Sequence, residues 1–208
     1  MKTISALLIF VVLGLSAGCQ QATDYKEVSI ANMGLSIPES WFKTAAYNDL
    51  IEDCQLEHGF EAGKCIPFDI YQVSGEDVFL ILGVESICNC YAREWPGSKS
   101  ISELHILDSF CPICALASGV LVSDIMMRIA GRYGVAERNQ QISQHLINGC
   151  DALEMGIEYK VGGETHSAYI LSIFGTKEIG MVFMGGRGTA LKKYEETWQK
   201  VRNSVRIM

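Results

Sequence analysis

Apolar and polar residues alternate with strand periodicity in the first part of the chain. Val28–Ile30 leads through a short turn-like segment into Leu35–Ile37, and this pattern predicts a half-buried strand that ends at Pro38. Val78–Val84 is a continuous apolar run whose length predicts a buried central strand. The first part of the chain is therefore predicted to contribute to a sheet.

The segment between Gln141 and Met184 repeats the strand pattern with glycine-containing turn signals between the apolar runs. Consecutive strands separated by short turns predict an antiparallel meander. The predicted strands lie around His145, around Ile157 and Tyr159, over Tyr169–Phe174 and over Ile179–Met184.

Two segments show helical periodicity instead. Residues Ile101–Arg132 are predicted to be mainly helical, because apolar residues recur there at helical spacing. Lys192–Val205 is predicted to form an amphipathic helix that packs on the sheet. The apolar face of this last helix carries Tyr194, Trp198, Val201 and Val205.

Three short motifs resemble the PsbP/DcrB-like family. They are Ser36–Trp41, the turn Ile147–Ala152, and a final helix that reads Tyr194-x3-Trp198-x2-Val201-x2-Ser204-Val205. The resemblance covers about residues 28–43 and 142–208. It implies an α+β fold, an α/β/α sandwich in which an antiparallel sheet is flanked by helices, here with a helical cysteine-containing insertion. Members of the family bind partners or stabilise assemblies, and the resemblance carries over no catalytic residues.

The N-terminus has the pattern of an export signal. A short positive start, Met1-Lys2-Thr3, precedes the apolar run Ile4–Ala17. A membrane-spanning helix needs about 20 apolar residues, and this run is shorter than that. Residues 1–18 are therefore predicted to be a cleavable signal peptide.

The string Leu15-Ser16-Ala17-Gly18-Cys19 resembles the lipobox of bacterial lipoproteins. This resemblance implies a thioether-linked diacylglycerol and a fatty acid such as palmitate on Cys19, with residues 19–27 as a lipidated tether. Gln20 follows Cys19 where aspartate would favour the inner membrane, so the outer membrane is favoured in a cell that has one. The alternative is an ordinary secretory signal with an incidental cysteine.

The charge of the chain disfavours nucleic acid as a partner. The formal net charge is −7, and removal of the signal peptide takes away only Lys2, which leaves −8. An acidic body is repelled by phosphates and by anionic lipid headgroups. Contact with a membrane is therefore assigned to the lipid on Cys19, and a possible partner is another envelope protein.

Four cysteines in the middle of the chain form two closely spaced pairs, Cys88 with Cys90 and Cys111 with Cys114. Each pair places both thiols on one face if the local structure is regular. The set could form two disulfides, a four-thiolate metal site, or a reactive dithiol with a resolving pair. Disulfides between the two pairs are predicted, because the exported chain meets oxidants.

Phe110–Cys114 is similar to the dithiol motif of glutaredoxin and thioredoxin, whose first thiol is activated at a helix N-terminus. The chain has no proline after Pro112, which counts against the cis-proline strand of that fold. Cys54 and Cys65 could close a loop as a further disulfide. Cys150 would then be left over.

The leading functional prediction is a membrane-anchored, non-enzymatic envelope lipoprotein that binds a protein partner or a small ligand. It requires no metal and no cofactor beyond the covalent lipid. The alternative is a thiol-active or metal-binding protein centred on the four paired cysteines. Residues 28–208 are predicted to form one α+β domain, with a cysteine-rich middle segment at about 83–140.

Overall fold

The protein is described by a computed structural model that covers residues 23–57, 65–86, 138–161, 163–176 and 178–208, together with Ile125 and Arg128. The strands are β1 (Tyr25–Ile30), β2 (Met33–Pro38), β3 (Phe42–Thr44), β4 (Phe68–Gln72), β5 (Val78–Ser86), β6 (Arg138–Ile147), β7 (Cys150–Val161), β8 (Glu164–Phe174), β9 (Glu178–Arg187) and β10 (Arg206–Ile207). The helices are α1 (Asn48–Glu57), α2 (Gly188–Leu191) and α3 (Glu195–Ser204), with a 3-10 turn at Lys192–Tyr194.

A seven-stranded antiparallel sheet with the strand order β3-β4-β5-β9-β8-β7-β6 forms the body of the fold. Strands β6 to β9 follow one another as hairpins, so the predicted meander is confirmed. The first of its turns uses Asn148 and Gly149, whose φ angles of 48° and 83° suit a two-residue hairpin loop. The strand β6 lies at one edge of this sheet.

One face of the large sheet, here called the α3 face, is covered by α3 and by a small sheet with the order β1-β2-β10. Side chains that alternate along β5, β8 and β9 are buried there, which agrees with a sheet that is covered on this face. Trp198 of α3 is 0% exposed, so the predicted packing of the last helix is confirmed. The buried residues of the α3 face include Leu82, Leu171, Ile173, Val182, Met184, Trp198 and Val201.

The opposite face, here called the α1 face, carries a second apolar cluster. Ile51 and Cys54 of α1 pack there against the sheet, and the helical residue Ile125 is also buried in it. Helices therefore flank the sheet on both sides, and the predicted α+β class with an antiparallel sheet between helices is confirmed. The cysteine-containing part of the predicted insertion lies outside the described residues.

Some boundaries differ from the sequence prediction. The first strand begins at Tyr25, inside the predicted tether, and it is paired with β2 in a hairpin rather than continued. The hairpin turns at Ala31, which adopts a φ of 48°. The last helix is also broken, because Lys192–Tyr194 is a 3-10 turn and α3 begins at Glu195.

Candidate functional site

Five of the predicted site residues lie outside the described part of the chain. They are the predicted lipidation site Cys19 and the paired cysteines Cys88, Cys90, Cys111 and Cys114. Lipidation and a shared disulfide, metal or dithiol site therefore remain predictions.

The other predicted pair, Cys54 and Cys65, lies next to two hydrogen bonds that join Gln55 to Ile66. The carboxamide of Gln55 donates to the backbone oxygen of Ile66 over 3.1 Å and accepts from the backbone nitrogen of Ile66 over 2.6 Å. These two bonds tie α1 to the chain that enters β4, next to both cysteines in sequence. No disulfide bond is present within the described residues, so the Cys54–Cys65 bridge stays a prediction.

Cys150 begins β7 and is half-buried against the α3-face core. Burial raises the pKa of its thiol, and the neighbouring carboxylate of Asp151 raises it further. Because the thiolate is the nucleophilic form, this environment makes Cys150 a weak nucleophile at neutral pH.

A polar cluster is buried where α3 meets the sheet. The carboxylate of Glu154 on β7 accepts a hydrogen bond from the indole nitrogen of Trp198. The Glu154 Oε2 atom lies 2.7 Å from Nη1 of Arg202 and 2.8 Å from Nε2 of His145. The cluster joins β6, β7 and α3, so it fixes the position of the helix on the sheet. The sequence carries little sign of this cluster, because a single acidic residue at an inward position of a strand is the only signal.

Ser143, His145 and Glu154 lie together, but their geometry does not match a catalytic triad. Ser143 Oγ lies 2.9 Å from Nε2 of His145, and Glu154 contacts the same nitrogen. In a hydrolase triad the acid holds the ring nitrogen opposite the one that serves the nucleophile. In this arrangement, Glu154 competes with Ser143 for one nitrogen instead of orienting the ring for it.

A pocket of about 230 Å³ opens on the α3 face beside this cluster. Gln141 on β6, Gly156 on β7 and Tyr169 on β8 stand in one cross-strand row, with Glu158 and Ser167 paired farther along. The row has a notch at its centre, because a Cβ atom on Gly156 would meet nothing within 4 Å. Because Gly156 has no side chain, its backbone forms the floor of the pocket.

An aromatic ring forms one wall of this pocket. The Tyr169 ring stacks on the buried ring of Trp198, with a centroid distance of 5.5 Å and an interplanar angle of 15°. Burial raises the pKa of the Tyr169 hydroxyl, and the carboxylates of Glu195, Glu154 and Glu158 raise it further. The wall thus combines an aromatic surface with a negative potential, on a side chain that is held by the core.

The described residues hold no group of three or more histidine, cysteine, aspartate or glutamate side chains that could bind a metal ion. Within the same residues, no helix is long and apolar enough to cross a membrane.

The described fold is of the α+β class, with an antiparallel sheet flanked by helices. Among solved structures, the chain is similar to LpqN of Mycobacterium tuberculosis, described as involved in cell envelope biogenesis. The two chains share 9% identity and a TM-score of 0.50, over 89% of this chain and 91% of LpqN. At this identity the likeness shows a common fold only.

The chain is also similar to cyanobacterial PsbP (CyanoP) from Synechocystis, with 11% identity and a TM-score of 0.49 over 93% of this chain and 98% of CyanoP. No protein-family model matches the chain, and no curated protein matches it.

Proposed function

We propose that the protein is a non-enzymatic lipoprotein of the cell envelope, anchored through Cys19, that binds a small ligand or a group of a protein partner on the α3 face. The observation that carries the binding role is the pocket over Gly156, a concavity of about 230 Å³ with an aromatic wall. Concave sites with a few convergent polar groups are the usual places where proteins bind small molecules.

The rigidity of this surface supports the binding role. Tyr169 is held by its stack on Trp198, and Trp198 is held by its hydrogen bond to Glu154. Arg202 adds a charged contact to the same carboxylate. A pocket whose walls are fixed before the ligand arrives loses little conformational freedom when the ligand binds.

The anchor follows from the N-terminal sequence. Cys19 stands directly after the predicted signal peptide, and the first strand begins at Tyr25. Six residues at about 3.3 to 3.6 Å each give a reach of roughly 20 Å, so the folded part would sit close to the membrane surface. LpqN, which has a similar fold, is described as involved in cell envelope biogenesis, and this description supports the proposed envelope location.

The anchor is tested by labelling expressing cells with radioactive palmitate. The wild type should carry label and should sediment with membranes, because the Cys19 thiol is the proposed acyl acceptor. Cys19→Ala should lose the label, whereas the control variant Cys150→Ala should keep it. Equal labelling of Cys19→Ala and the wild type would refute the proposed anchor.

A thiol-active or metal-binding role is the second candidate, favoured by the spacing of the Cys88/Cys90 and Cys111/Cys114 pairs. Thiol titration of exported protein under denaturing, non-reducing conditions, with metal analysis, separates it from the first. We expect at most three free thiols. Four or more with bound zinc would favour a metal site, and four or more without metal would favour a reactive dithiol.

A further inference from the structure

We infer that the pocket over Gly156 binds a small organic cation, a primary ammonium or guanidinium group, seated between the Tyr169 ring and the Glu158 carboxylate. This inference rests on the binding role proposed above and names the chemical class of the ligand. The cation could be a free amine or the end of a basic side chain on a partner protein.

The size of the pocket selects a small group. Its volume of about 230 Å³ lies below the roughly 300 to 1,000 Å³ of sites for drug-sized ligands. The space beside Gly156 is open, because a Cβ atom on that residue would meet no neighbour within 4 Å. A slender cationic group on an alkyl chain fits such a notch.

The charge around the pocket selects a cation. The negative charge of Glu154 is compensated by Arg202, whose Nη1 atom lies 2.7 Å from the Glu154 carboxylate. Glu158 forms no ion pair with another residue in the described ranges, so its charge is left for a ligand. No lysine or arginine lines the pocket, so its lining offers an anion no positive charge to offset the repulsion by Glu158.

The remaining lining groups suit the donors of a cation. An ammonium group carries three N–H donors and a guanidinium group carries five, and neither has an acceptor. Gln141 offers a carbonyl oxygen and Ser167 a hydroxyl oxygen from opposite sides of Gly156. The Tyr169 ring adds a surface for a cation–π contact.

The test is equilibrium dialysis of the acylated protein in neutral detergent against labelled putrescine at low ionic strength, where surface charges are least screened. We expect saturable binding. Glu158→Gln should weaken it about fivefold, the upper value for an exposed ion pair. Gly156→Leu should weaken it at least tenfold by filling the notch. Glu39→Gln, which removes an equal charge from an exposed position outside the pocket, should change it less than twofold.

Two further probes sharpen the result. Neutral 1-butanol should bind at least tenfold more weakly than putrescine, and capped lysine and capped arginine amides show whether a side-chain cation is preferred to a free amine. Preference for either source supports the inference. Absent or non-saturable putrescine binding, equal loss in Glu39→Gln, or equal binding of butanol would overturn it. Retained binding in a folded Gly156→Leu variant would do the same.

The cation-binding test and the palmitate-labelling test of the anchor can fail independently of each other. Loss of cation binding would leave palmitate labelling of Cys19 unchanged, because the two tests depend on different residues. If the anchor fails while putrescine still saturates the pocket, the ligand class stands and only the location of the protein changes.

Discussion

Trp198 links the hydrophobic core to the Glu154 cluster, so its replacement tests the packing of α3. The side chain is 0% exposed, its ring stacks on Tyr169, and its indole nitrogen donates to the buried carboxylate of Glu154. Trp198→Ala removes the ring and the donor together. Trp198→Phe keeps an aromatic ring of smaller size and removes the donor.

The two variants should differ in stability by an amount set by the packing. Replacement of a buried tryptophan by alanine costs about 3 to 5 kcal/mol. A hydrogen bond to a charged group is worth about 1.5 to 3 kcal/mol, and Trp198→Phe should lose an amount in that range. Because Glu154 keeps its contact with Arg202, the loss in Trp198→Phe should lie near the lower end.

Urea unfolding of the purified protein, followed by circular dichroism, gives the free energy of unfolding for each variant. The order should be wild type, then Trp198→Phe, then Trp198→Ala. A loss below about 1 kcal/mol in Trp198→Ala would show that the ring is not packed in the core. Equal losses in the two variants would show that the bond to Glu154, rather than packing, holds the helix.

Burial raises the pKa of Glu85 above 4.5, so the neutral form of its carboxyl group stabilises the fold at low pH. This stabilisation is lost as pH rises through the folded-state pKa. Urea unfolding at pH 7 should therefore show that Glu85→Gln is more stable than the wild type, and equal stability would contradict this. A Cβ atom on Gly186 would lie 2.1 Å from the backbone oxygen of Asp77, so Gly186→Ala should cost about 1 to 3 kcal/mol, whereas thermal unfolding of the control Gly156→Ala should show no loss. Cys150 should react with iodoacetamide at neutral pH much more slowly in the folded protein than in urea, as followed by peptide mass mapping, and equal rates would be evidence against its buried environment.

The sequence was most informative where local pattern and tertiary packing agree. The meander from β6 to β9 was predicted because apolar periodicity and glycine turns mark each strand. The burial of Trp198 followed from its position on the apolar face of the last helix. In both cases, the decisive information lies within about a dozen neighbouring residues.

The pocket could not be predicted, because it depends on strand register. Gln141, Gly156 and Tyr169 stand side by side only through two hairpin pairings, and a shift of one residue would turn Gly156 to the other face. The Glu154 cluster has the same origin, since Arg202 comes from a helix 48 residues away in sequence. Neither arrangement leaves a motif in the linear sequence.

The small sheet has a consequence for the order of folding in the proposed export. The strand β2 pairs on one side with β1, and on the other side Gly34 pairs with Arg206 of β10. The backbone nitrogen of Ser36 also donates to Ser204 Oγ over 2.8 Å, across a sequence separation of 168 residues. Contacts this distant in sequence form slowly, because a long loop must close before they are gained. A chain that crosses a membrane from its N-terminus therefore presents β2 with one unpaired edge until nearly its last residues emerge.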